Sequence, residues 1–159
     1  MITQKAGTIL LNLQTKKIAL VYDNRNDSYA FPKGHLEIGE TLAECAIRET
    51  EEETLRANHL FSEKEIGVLK YVTSSGINVE CFMYIAIDDG PTSKNIAAED
   101  REIFDWFYFN EVHNKLVYEY LKIFLLLFVF LLTNFLLLLF LFLIIRIIFF
   151  IFIIIFIYY

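Results

Sequence analysis

The run Arg48-Glu49-Thr50-Glu51-Glu52-Glu53 sets carboxylates at i, i+3 and i+4 through Glu49, Glu52 and Glu53. On a helix those positions share one face, so three like charges crowd together and repel. A hard cation among them relieves the repulsion. Magnesium suits such a site, because it takes carboxylate oxygens, keeps several waters and bridges to phosphate groups; manganese is the alternative. Just upstream, Pro32-Lys33-Gly34-His35 leads through Leu36-Glu37-Ile38-Gly39 to Glu40. Gly34 lets the backbone approach a ligand closely, and Gly39 permits a turn with positive φ before a helix starts. The chemistry suggested is metal-assisted attack at a phosphoryl centre: metal ions acidify water and neutralise charge on phosphoryl oxygens, while the protein positions the groups. An acidic run by itself is usually a solvated helix face. What separates this one is the glycine loop and Glu40 at fixed distances before it.

The elements that must hold these side chains can be read from the hydrophobic pattern. Lys5 to Leu13 and Lys17 to Tyr22 are apolar, β-branched runs broken by Gln14-Thr15-Lys16, as in two neighbouring strands. Tyr29 to Phe31 resumes an extended path, and Pro32 keeps the residue before it out of the helical region. From Thr41 the period changes: Ala43, Ala46, Ile47, Thr50 and Thr54 recur at helical spacing, with Thr41 and Glu44 as a capping box. The helix runs about three and a half turns. Gly67 to Ser74 and Ile77 to Ile87 read as strands joined at Ser75-Gly76, followed by a turn at Asp88-Asp89-Gly90-Pro91. Ile103 to Phe109 is one more strand, and Val112, Leu116, Val117, Tyr120, Leu121 and Phe124 give a closing amphipathic helix. Periodicity thus yields a mixed α+β domain.

Gly34, five residues, Glu40, seven residues, then Arg48-Glu49 and Glu52-Glu53 match the Nudix box position by position, and through it the chain resembles the Nudix hydrolases. The resemblance implies an α/β/α sandwich with a mixed sheet over residues 1–122. It also implies a metal-dependent pyrophosphohydrolase that attacks a bridging diphosphate with a metal-activated water. Residue by residue, it implies Glu52 and Glu53 as metal ligands, Glu49 as ligand or general base, and the Lys33 carbonyl as a further ligand. Arg48 and Glu40 would steady the helix and loop through an ion pair, so the implied catalytic set is Arg48, Glu49, Glu52 and Glu53. Gly34, Gly39 and Glu40 are the structural members of the box, and Lys33, Gly34 and His35 face the substrate. Other members often supply one more acid from a distant loop, for which Glu99, Asp100 or Glu102 is the candidate.

One position departs from the family pattern. Leu55 stands where the box ends in glycine. Losing a glycine cap costs about 1 kcal/mol if the backbone must still take positive φ. The metal ligands lie one to two turns earlier and need not move, so activity is expected to survive.

The Pro-Lys-Gly-His opening looks like the subgroup that cleaves diadenosine tetraphosphate, making a nucleoside polyphosphate the expected substrate. Diphosphoinositol polyphosphates and capped RNA are the alternatives, and a catalytically silent, membrane-tethered module is the rival from another class. An adenine would want an aromatic platform, for which Tyr22, Tyr29, Phe31, Tyr71 and Tyr84 are available; each would serve equally well in the core.

Charge and composition divide the chain in two. The first 122 residues hold all 20 Asp and Glu and 13 of the 14 Lys and Arg, a net charge of −7. That acidity argues against a nucleic-acid groove, which needs a basic stripe. Cys45 and Cys81 lack ligand-like spacing and read as reduced core thiols of a cytoplasmic domain without a secretory signal. Ile123 to Tyr159 is low-complexity and hydrophobic, with Arg146 its only charge. Ile123 to Ile145 is an uncharged, predominantly apolar run of 23 residues, long enough for a transmembrane anchor, with Lys115 and Lys122 favouring a cytosolic domain. The competing account is a reading frame that runs into AT-rich DNA. On either account an uncharged Ile- and Phe-rich segment is an aggregation hazard in water.

Overall fold

The computed structural model describes residues 2–24, 27–96, 103–116, 137 and 140–145. The chain divides into two compact units, Met1–Lys122 and Ile123–Tyr159. In the second, residue 137 and residues 140–145 are helical. Among the described residues no helix is long and apolar enough to cross a membrane. The span expected at residues 123–145 lies outside the described residues except at those seven positions.

The first unit is built on a mixed eight-stranded sheet. Strand β1 (Ile2–Asn12) turns through Lys16, at φ 57°, into antiparallel β2 (Lys17–Asp23). Then β3 (Ser28–Ala30) pairs with β2, and β4 (Lys33–His35) returns beside β1, both antiparallel. Helix α1 (Leu42–Thr54) follows, then β5 (Arg56–Leu60), β6 (Gly67–Val72) and β7 (Asn78–Pro91). The long β7 runs parallel to β1 from Ile2↔Asn78 to Leu11↔Ile87, and antiparallel to β5 and β6. Strand β8 (Ile103–Tyr108) pairs with β2, and α2 (Phe109–Lys115) closes the described part of the unit.

Alternation along the strands sends side chains to both faces, so helices cover both. On the α1 face, Ala6 of β1 and Tyr84 of β7 pack with Cys45 and Ala46 of the helix, and Leu10, Ala19 and Ala86 form a second cluster. Small residues at Ala6 and Ala46 bring helix and strand together. Thr8 and Thr50, both wholly buried, then meet at 2.8 Å between hydroxyls. Thr50 donates to the Ala46 carbonyl at 2.7 Å, so the shared hydrogen comes from Thr8 and neither hydroxyl is orphaned. On the other face, Phe107 and Tyr29 stack edge to face at 5.0 Å, with the Lys115 ammonium over both rings and Val112 and Leu116 buried.

Three expectations change. Arg56–Leu60 is a strand that the sequence pattern did not suggest, because its half-buried residues show no clean alternation. Asp88 to Pro91 is not a turn: β7 continues through it, with Asp89 left out of register between Asn58↔Asp88 and Ala57↔Gly90. Gly90 takes φ +112° at this bulge, so the glycine and acids that signal a turn here serve a kink. Asp88 is fixed there by Arg56 through two bonds of 2.8 Å and by Asn12 at 2.6 Å. Finally, α2 ends at Lys115, and Leu116 is extended and bridges to Tyr29. The closing helix was expected to continue to Phe124, and residues 117–124 lie outside the described residues.

Candidate metal-dependent active site

The site begins with how α1 is started. Thr41 caps it: the Glu44 amide donates to the Thr41 hydroxyl at 3.2 Å, and the Thr41 amide donates to the Glu44 carboxylate at 2.8 Å. This reciprocal pair satisfies two orphan amides and fixes where the first turn lies. Before it, Gly39 has φ +93°, and the Glu37 amide donates to Glu40 at 2.7 Å, closing the loop onto itself.

Arg48 ties that loop to the helix. Its guanidinium grips Glu40 with Nη2 at 2.7 Å and Nε at 3.0 Å, and donates to the His35 carbonyl at 2.9 Å. The same group reaches Glu49 and Glu52, each at 3.0 Å from Nη1. Arg48 holds the Glu40 carboxyl down at about 2 and is itself pushed up, chiefly by its hydrogen bond to Glu40. One planar cation thus serves three carboxylates, a geometry that lysine could not reproduce.

The helix lies so close to β4 that a Cβ built on Gly34 would fall 1.9 Å from the Glu49 carboxyl group. Only glycine fits there. The Lys33 amide donates to Glu53 at 2.9 Å, fixing the next carboxylate against the same strand. Between them opens a cleft of about 250 Å³ lined by Lys5, Asp23, Lys33, Gly34, His35, Glu49 and Glu53, with Val21, Ala30 and Phe31 as its apolar wall. Burial pushes the Glu49 carboxyl above the usual range, against the pull of Arg48. His35 is pushed down by partial burial first and then by the Lys5 and Lys33 charges.

Of the expected site residues, the structure brings Lys33, Gly34, His35, Glu49 and Glu53 to one cleft. Glu52 sits beside it in the hand of Arg48. Among the described residues no three His, Cys, Asp or Glu side chains form a ready-made cation cage. The donors nonetheless suit a hard divalent ion. Glu49 is a partly buried carboxylate beside further carboxylates, and magnesium needs only one or two protein carboxylates, completing its shell with water and phosphate oxygens. Glu99, Asp100 and Glu102 lie outside the described residues. Of the five aromatic candidates, only Phe31 lines the cleft, and it is wholly buried. Tyr22 and Tyr29 stack on each other at 5.1 Å on the α2 face, Tyr84 is in the α1 core, and Tyr71 lies on β6.

Two charged members of the cleft were not singled out from the sequence. Lys5 stands at the start of the apolar part of β1, after Thr3 and Gln4, and Asp23 ends β2. A charge in or closing an apolar strand is the only signal they carried. Cys45 and Cys81 are free and buried, their thiols pushed up by burial to about 12 and about 11.

Comparison with known proteins adds the following. The family model described as NUDIX domain matches residues 1–127. An uncharacterized Nudix hydrolase, YvcI, of Bacillus subtilis (strain 168) is 27% identical over 105 residues, covering 64% of this chain and 65% of that protein. The match therefore spans less than two thirds of that relative's length. Among solved structures, a C. elegans Ap4A hydrolase binary complex superposes with TM-score 0.67 at 20% identity, covering 83% of this chain and 98% of that one. A NUDIX family hydrolase from Clostridium perfringens superposes with TM-score 0.64 at 15% identity, covering 79% and 92%. At these identities the likeness is one of fold.

Proposed function

The chain belongs to the Nudix hydrolase family, and from that premise we propose that it is a metal-dependent pyrophosphohydrolase acting on a nucleoside polyphosphate of the diadenosine tetraphosphate type. The observation that carries the reading is the pairing of Glu49 with Gly34 and of Glu53 with the Lys33 amide around one cleft. It puts helix carboxylates and a glycine-lined backbone within reach of the same small ligand.

Glu52, Glu53 and the Lys33 carbonyl would hold magnesium or manganese, with Glu49 as a further ligand or as the general base. When bound, the cation supplies charge neutralisation at the phosphoryl oxygens and a more acidic water. The remaining work belongs to the chain. Lys33 and the bare Gly34 backbone orient the diphosphate, and His35, exposed beside them, can donate to a phosphate oxygen. As the general base, Glu49, packed against Gly34 at the cleft, takes the proton of the attacking water. Arg48 keeps Glu49 aligned through its anchor on Glu40 and the His35 carbonyl.

Substrate choice rests on two supports: the Pro32-Lys33-Gly34-His35 opening, and a fold like that of the C. elegans Ap4A hydrolase. A diphosphoinositol polyphosphate is the second reading, favoured by one observation: among the described residues the cleft offers no exposed aromatic ring on which a base could stack. The hydrolase unit is taken to end near Lys122. A membrane anchor at residues 123–145 rests on sequence alone, and its test is whether the full chain stays with membranes after alkaline extraction. The substrate test is hydrolysis of diadenosine tetraphosphate, a diphosphoinositol polyphosphate and a capped RNA fragment by the full chain with magnesium. Preferential cleavage of the first supports the proposal; preferential cleavage of the second replaces the substrate. Cleavage of none by a folded chain points to a silent module.

A further inference from the structure

Lys5 has no role in the chemistry described above, yet it stands in the same cleft. It pairs across β1 and β4 with His35, and Gly7 pairs with Lys33 in the same ladder. A Cβ on Gly7 would lie 2.3 Å from the Pro32 carbonyl oxygen, so glycine at that position lets the strands close and brings Lys5 and Lys33 to one opening. Burial lowers the Lys5 ammonium and Lys33 lowers it further, while Cys81, Glu49 and Glu53 hold it up.

A lone half-buried lysine is commonly a stem that covers apolar surface while its ammonium reaches water. Two ammonium groups in one cleft differ, because each worsens the other's position. The balance comes from the helix carboxylates across the cleft. A divalent cation bound by those carboxylates takes up their charge and leaves Asp23 as the one other carboxylate lining the cleft against two lysines. A filled site then demands anionic groups beyond the carboxylates.

We infer that Lys5 is a specificity-determining residue that grips a phosphate outside the diphosphate linkage being cut, so that the cleft selects chains of three or more phosphates. The inference rests on the hydrolase reading and deepens it. The Lys33 and Gly34 side of the cleft takes the reacting linkage, and Lys5, on the neighbouring strand, takes the next phosphate. Because the cleft reads charge along the chain and, among the described residues, offers no exposed ring, selection acts on phosphate number ahead of the base.

The test is calorimetric binding of inorganic tripolyphosphate and of pyrophosphate to the full chain, with calcium in place of magnesium to slow turnover. Three forms are compared: wild type, Lys5→Met and Lys5→Arg. Wild type is expected to prefer tripolyphosphate, Lys5→Met to lose about tenfold in tripolyphosphate affinity and with it that preference, and Lys5→Arg to restore it. No preference in wild type, unchanged binding in Lys5→Met, or an equal loss in Lys5→Arg would each overturn the inference, the last by showing a packing role. Loss of hydrolysis with the preference intact removes the hydrolase reading alone. Hydrolysis without the preference removes Lys5 alone.

Discussion

Gly34 and Glu49 are packed so tightly that the missing Cβ of the glycine defines where the carboxylate lies: built in, it would fall 1.9 Å from the Glu49 carboxyl carbon and as close to one oxygen. The contact is between a strand and the face of α1, so it sets both the position of the acid and the depth of the helix. Gly34→Ala must push Glu49 or β4 aside. The expected result is a loss of at least about a hundredfold in hydrolysis rate, since small misplacements of positioned groups cost that much. Thermal unfolding should fall by the equivalent of about 1–3 kcal/mol, as for overpacking. Steady-state rates and a melting curve check both.

Leu55 takes φ +54° and ψ 29°, the left-handed conformation, while its amide donates to the Glu51 carbonyl at 2.9 Å. A side chain is strained there, and glycine is not. Leu55→Gly should therefore stabilise the chain by up to about 1 kcal/mol, less whatever the half-buried leucine contributes by packing. The melting temperature should rise by up to a few degrees, with hydrolysis kept, because no ligand sits on that turn. A lower melting temperature would mean that packing outweighs strain.

Acid should loosen the loop before α1. Glu40 is held at about 2 by Arg48, below its ordinary value near 4.5, so its contribution to stability is present above 4.5 and is lost as pH falls toward 2. In Glu40→Gln that contribution is absent at every pH. The difference in melting temperature between wild type and Glu40→Gln should accordingly shrink as pH falls from 5 to about 2. A difference that stays constant over that range would contradict the account.

Buried thiols whose values are pushed to about 12 and about 11 should react slowly while the fold persists. At pH 8, Cys45 and Cys81 should resist iodoacetamide in the native chain and be alkylated in denaturant. Mass spectrometry after timed alkylation reads this directly, and rapid native labelling of Cys45 would show that α1 lifts from the sheet.

What was legible in the sequence was local. The Thr41 and Glu44 cap and the apolar spacing of Ala46, Thr50 and Thr54 are decided within a few residues, and the helix appears where they place it. Its buried face includes Cys45 and Glu51 in addition, the latter because Lys94 and Thr92 reach across to its carboxylate. That partnership spans some forty residues and leaves no local trace. The same holds for β5, which exists because β7 offers it an edge, and for Asp88, whose turn-like neighbours are overruled by Arg56 and Asn12. In the cleft, the box residues announced themselves by spacing. Lys5 and Asp23 arrive from separate strands, and only the pairing of β1 with β4 shows that Lys5 faces the same opening.

The most direct test of the central claim is hydrolysis of diadenosine tetraphosphate by the full chain with magnesium, with excess chelator, and in the Glu53→Gln variant. Glu53 is held by the Lys33 amide at the cleft, and the variant keeps its shape while removing its charge. The account predicts cleavage with magnesium, and a loss of at least about a hundredfold both in chelator and in the folded variant. A rate that persists in chelator, or an undiminished rate in Glu53→Gln, would contradict it.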